Sequence, residues 1–270
     1  MGQKTAIVDP GPPAAIPGVM AGLEAAGIKP ERVDYIILTH IHIDHAGGTG
    51  AVAGLLPNAK ILAHSRARQH LVDPSALWKG SLRTLGNLAL KYGEIAPVPA
   101  ERIVTVEENM QVYLGKDKEF QVYLTPGHAP HQFSLYSRAE GLLIAGEAGG
   151  VCINGYIRPA TPPPFKLEET LASFDKLIAL DPQRICYGHF GCYTDATDRL
   201  KRARLQVINW HRIANAEKER GRTPEQVLEV LRMKDSELNY LNNLDSNAAK
   251  REFTLLMNTI NGLCWTKKQG

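Results

Sequence analysis

A cluster of histidines directly after an apolar run constrains this chain more than any other feature of its sequence. The apolar run is Val33 to Leu38, and the segment Thr39-His40-Ile41-His42-Ile43-Asp44-His45 follows it, before two glycines. Such a run is typical of a buried strand in a sheet that helices cover. Because side chains alternate along an extended chain, His40, His42 and Asp44 are predicted to project to one side, with His45 entering from the turn. Chance would produce this histidine spacing on the order of 0.01 times in a chain of this composition.

Two further histidines follow later apolar strands. His128 ends the segment Thr125-Pro126-Gly127-His128, and His189 lies in Tyr187-Gly188-His189-Phe190-Gly191. A glycine beside each histidine lets the end of a strand present an imidazole without crowding from the backbone. The histidines are therefore predicted to meet the first cluster at one edge of a sheet and to bind metal with it.

The order of these motifs resembles that of the metallo-β-lactamase superfamily. H-x-H-x-D-H is followed by T-P-G-H, then by the glycine and acid of Gly146-Glu147 after a strand, and then by G-H. The resemblance covers roughly residues 5–193. The residues around the motifs are similar to those of a prokaryotic branch with glyoxalase-II-like and lactonase-like members. It implies a first metal held by His40, His42 and His128, a second held by Asp44, His45 and His189, and the carboxylate of Glu147 between them.

The chain departs from that family pattern at two places. Family members normally carry aspartate where this chain has Glu147, and they begin with a strand hairpin of which only Thr5 to Val8 is found here. Glutamate adds one methylene, and oxygen ligands tolerate little error in distance. We therefore expect Glu147 to bind metal with an altered bridge and a weaker or more exchangeable second site. The extra methylene can also favour a carboxylate-tolerant ion such as Mn or Fe over Zn.

The predicted fold is a four-layer αββα sandwich with a C-terminal helical extension. Alternating strand and helix patterns up to Tyr193 favour this layered α/β arrangement over a helical bundle. From about Asp195 onward only helical patterns occur, including a capping-box start at Thr223-Pro224 with Gln226. We expect a catalytic domain over residues 1–194, with its N-terminal hairpin truncated, and a helical extension over 195–270 packed on it.

The predicted function is metal-dependent hydrolysis of a small ester, thioester or lactone. A pair of divalent transition metals, Zn first and Mn or Fe as alternatives, would supply hydroxide at neutral pH, and Asp44 would orient the attacking water. His131, Tyr156 and Arg158 are candidates for contacting the substrate, although Arg158 could equally brace its loop. The alternatives are a diiron-type oxidoreductase on the same fold and a non-catalytic metal-binding protein.

Composition indicates a protein without a nucleic-acid or membrane partner. The net charge is +3 and no apolar run is long enough to span a bilayer. The N-terminus lacks a signal-peptide pattern, so a cytoplasmic location is the default. Four cysteines without paired spacing are expected to be reduced thiols. The partner is expected to be a small-molecule substrate, and the helical extension offers a surface for homo-oligomer formation.

Overall fold

A computed structural model of the chain describes residues 3–116, 118–189 and 191–264. The chain forms two compact units whose segments interleave along the sequence. Unit 1 comprises Met1–Leu124 and Pro130–Leu142, and unit 2 comprises Thr125–Ala129 and Leu143–Gly270. The division at Asp195 into a catalytic domain and a helical extension stays a prediction.

Unit 1 contains a four-stranded parallel sheet built from short apolar strands. Its strands, in spatial order, are β1 (Thr5–Val8), β2 (Val33–Ile37), β3 (Lys60–His64) and β4 (Ile103–Val106). Ile36 of β2 is aligned with Ile61 of β3, and Ile61 with Ile103 of β4. Because helices cover this sheet, the strands read as near-continuous apolar runs, as the sequence predicted for β2.

Six helices connect and cover the strands of this sheet. They are α1 (Ile16–Ala25), α2 (Ile43–Ala46), α3 (Thr49–Leu55), α4 (Arg68–Val72), α5 (Ser75–Leu85) and α6 (Asn87–Tyr92). Helix α1 is terminated by Gly27, two residues past its end, whose φ of 67° is in the left-handed region that favours glycine. The Ile28 amide donates to the Leu23 carbonyl. Helices α1 and α3 supply Leu23 and Val52 to one buried core with Ile36 and Ile61.

Unit 1 also contains a run of three antiparallel strands. These are β5 (Gln111–Gly115), β6 (Lys118–Leu124) and β7 (Phe133–Ser137), with Val122 of β6 opposite Leu135 of β7. The Lys4 amide donates to the Leu114 carbonyl at 2.8 Å, so the residue before β1 is bonded to β5. This hydrogen bond joins the two groups of strands within unit 1.

The strands of unit 2 are short and end in loops that carry polar residues. They are β8 (Leu142–Gly146, in unit 2 from Leu143), β9 (Val151–Ile153), β10 (Tyr156–Arg158), β11 (Arg184–Tyr187) and β12 (Cys192–Tyr193). Strand β11 lies between β8 and β12, and β9 pairs with β10 in an antiparallel hairpin.

Four long helices complete unit 2. They are α7 (Leu167–Ala179), α8 (Ala196–Glu219), α9 (Pro224–Lys234) and α10 (Ser246–Leu263). Helix α8 packs on α7, and its Leu200 and Trp210 are fully buried. The predicted capping box starts α9, where the Thr223 side chain accepts from the Gln226 amide. Within the described residues, no helix combines the length and apolar character that crossing a membrane requires.

The prediction that all four cysteines are reduced was wrong for one pair. Cys186 and Cys192 form a disulfide bond, whereas Cys152 and Cys264 are free thiols. Antiparallel pairing of β11 and β12 places Cys186 directly opposite Cys192, with their Cα atoms 4.1 Å apart. The two cysteines are six positions apart and meet only through the strand pairing, so no C-x-x-C spacing in the sequence indicates the bond.

Candidate metal centre

The histidine motif does not continue as an extended strand, which corrects the predicted alternation of His40, His42 and Asp44. The chain turns at His42 and enters helix α2, so that Asp44 and His45 lie on one helical turn. The His45 and Ala46 amides both donate to the His42 carbonyl. The Gly47 amide continues this turn by donating to the Ile43 carbonyl, and a Cβ on Gly47 would lie 2.4 Å from that carbonyl oxygen, so glycine fits here.

Unit 1 brings four imidazoles together despite this different backbone. The His40 ring centroid lies 4.8 Å from that of His42 and 4.0 Å from that of His45. The His131 ring lies 6.4 Å from His40 and 5.9 Å from His42. His40 and His45 are buried, whereas His42, Asp44 and His131 are partly exposed. The buried pair can hold a metal, and the exposed group faces the side from which a substrate can approach.

Asp9 is a residue of this cluster that sequence reasoning missed. Its carboxylate accepts hydrogen bonds from the Thr39 amide at 2.8 Å and the Thr39 hydroxyl at 2.6 Å, and lies 3.0 Å from Nδ1 of His45. The available signal was its position directly after β1, because the carboxyl ends of neighbouring parallel strands meet at one edge of the sheet. Because Asp9-Pro10-Gly11 is also a turn signal, the sequence did not indicate that role.

These hydrogen bonds determine which imidazole nitrogen carries the proton. Nδ1 of His45 donates to the Asp9 carboxylate, which leaves Nε2 as a lone-pair ligand. Thr39 gives its single hydroxyl proton to Asp9, so its oxygen accepts from Nδ1 of His40 at 3.1 Å. Nε2 of His40 is therefore a second lone-pair ligand. Neutral imidazoles with a fixed Nδ1–H are the form in which histidine binds zinc.

Unit 2 places a carboxylate between two imidazoles. One oxygen of Glu147 lies 2.7 Å from Nε2 of His128, and the other lies 3.4 Å from Nε2 of His189. Nδ1 of His128 lies 3.0 Å from the Ala160 carbonyl oxygen, which can only accept. His128 therefore carries a proton on Nδ1, as a metal-binding imidazole does.

This arrangement of unit 2 fits a divalent cation. With Nδ1–H of His128 used by Ala160, the neutral imidazole turns a lone pair toward an oxygen of Glu147. Two acceptors at 2.7 Å repel each other unless a cation or a proton lies between them. Two imidazoles and a carboxylate are also a donor set that zinc, manganese and iron accept.

Strand ends position the three residues of unit 2. The Gly188 amide donates to the Gly146 carbonyl at 2.9 Å, so the loops after β8 and β11 are held together. The Ser173 hydroxyl of α7 donates to the Pro126 carbonyl at 2.6 Å, which fixes the turn before His128. Gly150 has a φ of 84°, and a Cβ there would lie 2.8 Å from the Arg158 carbonyl oxygen. A larger residue would therefore displace the loop that presents Glu147.

Arg158 and Tyr156, which the sequence suggested as substrate contacts, lie beside the C-terminal helices of unit 2. Arg158 is 4% exposed and forms an ion pair with Glu252 of α10, and one guanidinium nitrogen also donates to the Pro159 carbonyl. These contacts favour the bracing role over substrate binding. Tyr156 is partly exposed, and its ring lies 6.2 Å from that of Tyr240.

Most of the chain is similar to one protein family. A family model described as the metallo-beta-lactamase superfamily matches residues 2–189. A metallo-beta-lactamase fold-containing protein of Sulfurisphaera tokodaii is 32% identical over 171 residues, which are 60% of this chain and 62% of that protein. The chain thus spans less than two thirds of that relative. A crystal structure of an archaeal metallo-beta-lactamase superfamily protein from Sulfolobus tokodaii has a TM-score of 0.67 at 23% identity, covering 86% of this chain and 80% of that chain.

Two further relatives carry the names of hydrolases. The N-acyl homoserine lactonase of Bacillus cereus is 30% identical over 161 residues, which are 58% of this chain and 51% of that enzyme. The hydroxyacylglutathione hydrolase of Xylella fastidiosa is 28% identical over 221 residues, which are 78% of this chain and 68% of that enzyme.

Proposed function

Because the chain belongs to the metallo-beta-lactamase superfamily, which the match over residues 2–189 shows, we propose that it is a metal-dependent hydrolase of small carboxylic esters, thioesters or lactones. The superfamily consists mostly of hydrolases. Two relatives named for opening a lactone and for cleaving a hydroxyacyl thioester support this substrate class. Each leaves a carboxylate after attack of water on a carbonyl carbon, which is the chemistry common to both.

The observation that carries the proposal is the Glu147 carboxylate with one oxygen toward His128 and the other toward His189. A carboxylate in that position can bind two metal ions at once, one through each oxygen. We propose the ligand set that the family resemblance implies, with His40, His42 and His128 on one metal and Asp44, His45 and His189 on the other.

The residues of the chain have separate roles in the proposed hydrolysis. Two divalent ions held by these ligands would acidify water to near-neutral pH and polarise the carbonyl oxygen of the substrate. Asp44 is partly exposed and lies 4.0 Å from Nε2 of His45, so its carboxylate is placed to accept a hydrogen bond from the attacking water and orient it. His131, beside His40 and His42, can donate to the substrate carbonyl or leaving group.

Buried partners keep this machinery in one geometry. Asp9 and Thr39 hold the His40 and His45 rings, and Ala160 holds the His128 ring. Rings fixed in this way do not need to reorganise when charge develops in the transition state. Substrate contacts by His131 and Tyr156 remain part of the proposal.

The test is metal analysis together with a substrate screen. The purified protein is expected to contain close to two transition-metal ions per chain and to hydrolyse at least one ester, thioester or lactone. Zinc, manganese and iron are each restored to chelated protein, and phosphodiesters are included in the screen. A protein that binds no metal after reconstitution contradicts the proposal. An iron-specific optical spectrum with redox turnover and no hydrolysis would instead indicate the diiron-type oxidoreductase.

Two ligand variants separate the two metal positions. His42→Ala and His189→Ala are each expected to lower kcat at least 100-fold while the far-ultraviolet circular dichroism spectrum stays unchanged, because the cores do not depend on metal. His70→Ala replaces an exposed histidine outside the cluster and is the matched control. Normal turnover by either ligand variant would remove that residue from the proposed set.

A further inference from the structure

The loop that carries His189 is closed at both ends by the Cys186–Cys192 disulfide. We propose that this disulfide is a site of thiol–disulfide exchange, and that its reduction by a dithiol releases the loop and weakens metal binding through His189. The inference rests on the proposed function, since it takes His189 as a metal ligand. It adds a redox-sensitive modification site that regulates the same centre.

The disulfide links the two ends of this loop directly. Strand β12 has only two residues, and its pairing with β11 consists of Ile185 opposite Tyr193 and Cys186 opposite Cys192. One further backbone hydrogen bond, from Tyr187 to the Gly191 carbonyl at 3.1 Å, lies inside the closed loop. A two-residue strand at a sheet edge has little stability of its own. The covalent bond therefore limits the positions that His189 can adopt.

The position of His189 makes it sensitive to that restriction. It lies three residues from each cysteine, and its side chain is partly exposed, unlike the buried His40 and His45. Its Nε2 lies 3.4 Å from the Glu147 carboxylate. Bonds from a metal to imidazole nitrogen require a distance near 2.0–2.1 Å, so a loop that samples more positions presents the ligand less often.

Movement after reduction is confined to this loop. On one side the Gly188 amide is bonded to the Gly146 carbonyl. On the other side the Arg199 guanidinium stacks on the Tyr193 ring, 3.8 Å from its centroid, and Arg199 also forms an ion pair with Asp195. Tyr193 is thus held on α8 independently of the disulfide, and the movement expected on reduction is that of His189 and Cys192.

The exchange reaction can begin at Cys192, which is exposed, whereas Cys186 is only partly exposed. A thiolate of the dithiol attacks Sγ of Cys192, the Sγ–Sγ bond breaks, and Cys186 leaves as a thiolate that takes up a proton. The second thiol of the reagent then attacks the mixed disulfide and releases Cys192. Two electrons and two protons pass to the protein, and the reagent becomes a cyclic disulfide.

The test begins with the protein freed of metal by chelation. It is reduced with dithiothreitol, alkylated with iodoacetamide and desalted, so that no reagent competes for zinc. Mass spectrometry counts the alkylated cysteines, hydrogen–deuterium exchange reports on the peptide covering residues 187–192, and titration with Zn²⁺ gives the stoichiometry and affinity. The unreduced protein is alkylated and desalted in the same way.

Two variants control for the other cysteines. Cys152→Ala/Cys264→Ala leaves only the disulfide cysteines, so alkylation elsewhere cannot cause the effect. Cys186→Ala/Cys192→Ala lacks the bond without any chemical treatment. Reduced protein and the second variant are both expected to exchange faster in this peptide and to bind the second zinc about 10- to 100-fold more weakly.

Unchanged exchange and unchanged zinc affinity after complete reduction would overturn the inference. So would four free thiols in protein purified under air. If the unreduced protein binds no zinc, the proposed function fails instead, and the exchange rate of the peptide in the chelated protein alone decides whether the disulfide restrains the loop.

Discussion

At the scale of single residues, Asp9 contacts both Thr39 and His45 through one carboxylate. In Asp9→Asn, an amide NH₂ replaces one oxygen and cannot accept from the Thr39 hydroxyl or from Nδ1 of His45. The ring of His45 then loses its acceptor, and we expect zinc affinity to fall about 10- to 100-fold, measured by titration against a chelating dye.

Asp34→Asn is the matched control for this change. Asp34 accepts a hydrogen bond at 2.9 Å from the amide of Thr5, which lies at the opposite end of β1 from Asp9. Equal zinc affinities of the two variants would contradict the positioning role of Asp9.

Glu147 is the second residue at which a small change is informative. Its two oxygens reach His128 and His189. Aspartate is shorter by one C–C bond, so its oxygens would lie about 1.5 Å further from these imidazoles. In this backbone Glu147→Asp is expected to retain fewer than two metal ions per chain after dialysis, measured by elemental analysis. Glu169→Asp shortens an exposed glutamate and should retain the wild-type content. Higher metal occupancy in Glu147→Asp would show that the glutamate does not bridge.

At the scale of elements, α10 is tied to β10 by a buried ion pair. Glu252 is 3% exposed, bonds to the Arg158 guanidinium and accepts a hydrogen bond from the Tyr240 hydroxyl. Burial raises the pKa of Tyr240, so its hydroxyl keeps its proton and remains the donor. Arg158 lies on β10 and Glu252 on α10, so the ion pair connects this strand to this helix within unit 2.

Removing one charge of that pair leaves the other buried without its partner. Glu252→Gln is therefore expected to lower the free energy of unfolding by about 3–5 kcal/mol, measured by urea denaturation. Glu169→Gln is the control, because it breaks an ion pair with Lys166 in which the Glu169 side chain is 44% exposed. The free energy of unfolding is expected to fall by about 1 kcal/mol or less in that variant. A loss for Glu252→Gln as small as that control would show that the pair is not structural.

At the scale of the whole molecule, each unit has a core that does not include the candidate ligands. Unit 1 buries Ile36, Val52 and Ile61, and unit 2 buries Leu177, Leu200 and Trp210. A ligand that binds only the folded state stabilises it by about 2.7 kcal/mol at a concentration 100 times its Kd. We therefore expect chelation to lower the Tm while the chain stays folded.

Circular dichroism before and after treatment with EDTA checks this expectation. The far-ultraviolet spectrum at 25 °C should be unchanged, and the Tm should rise again when Zn²⁺ is added. Loss of the helical signal on chelation would mean that the metal holds the fold together, as in a zinc finger.

The mixed α/β metallo-β-lactamase fold with C-terminal helices could be predicted from the sequence and is confirmed. Apolar runs such as Val33 to Leu38 specify strands by themselves, because burial on both faces requires continuous apolar side chains. The histidine motif was identifiable because its residues are close in sequence and their chance spacing is rare. Local patterns of this kind need no knowledge of distant contacts.

Tertiary structure alone decided the features that depend on how strands and helices pair. Asp9 meets His45, Cys186 meets Cys192 across two strands, and Arg158 meets Glu252 of α10. The helical turn at Asp44 likewise departs from the alternation that the sequence predicted. The sequence shows which chemical groups are present, but the pairing of strands and helices determines which of them face each other. Those contacts in turn determine which nitrogen of each imidazole is protonated and which group pairs with each buried charge.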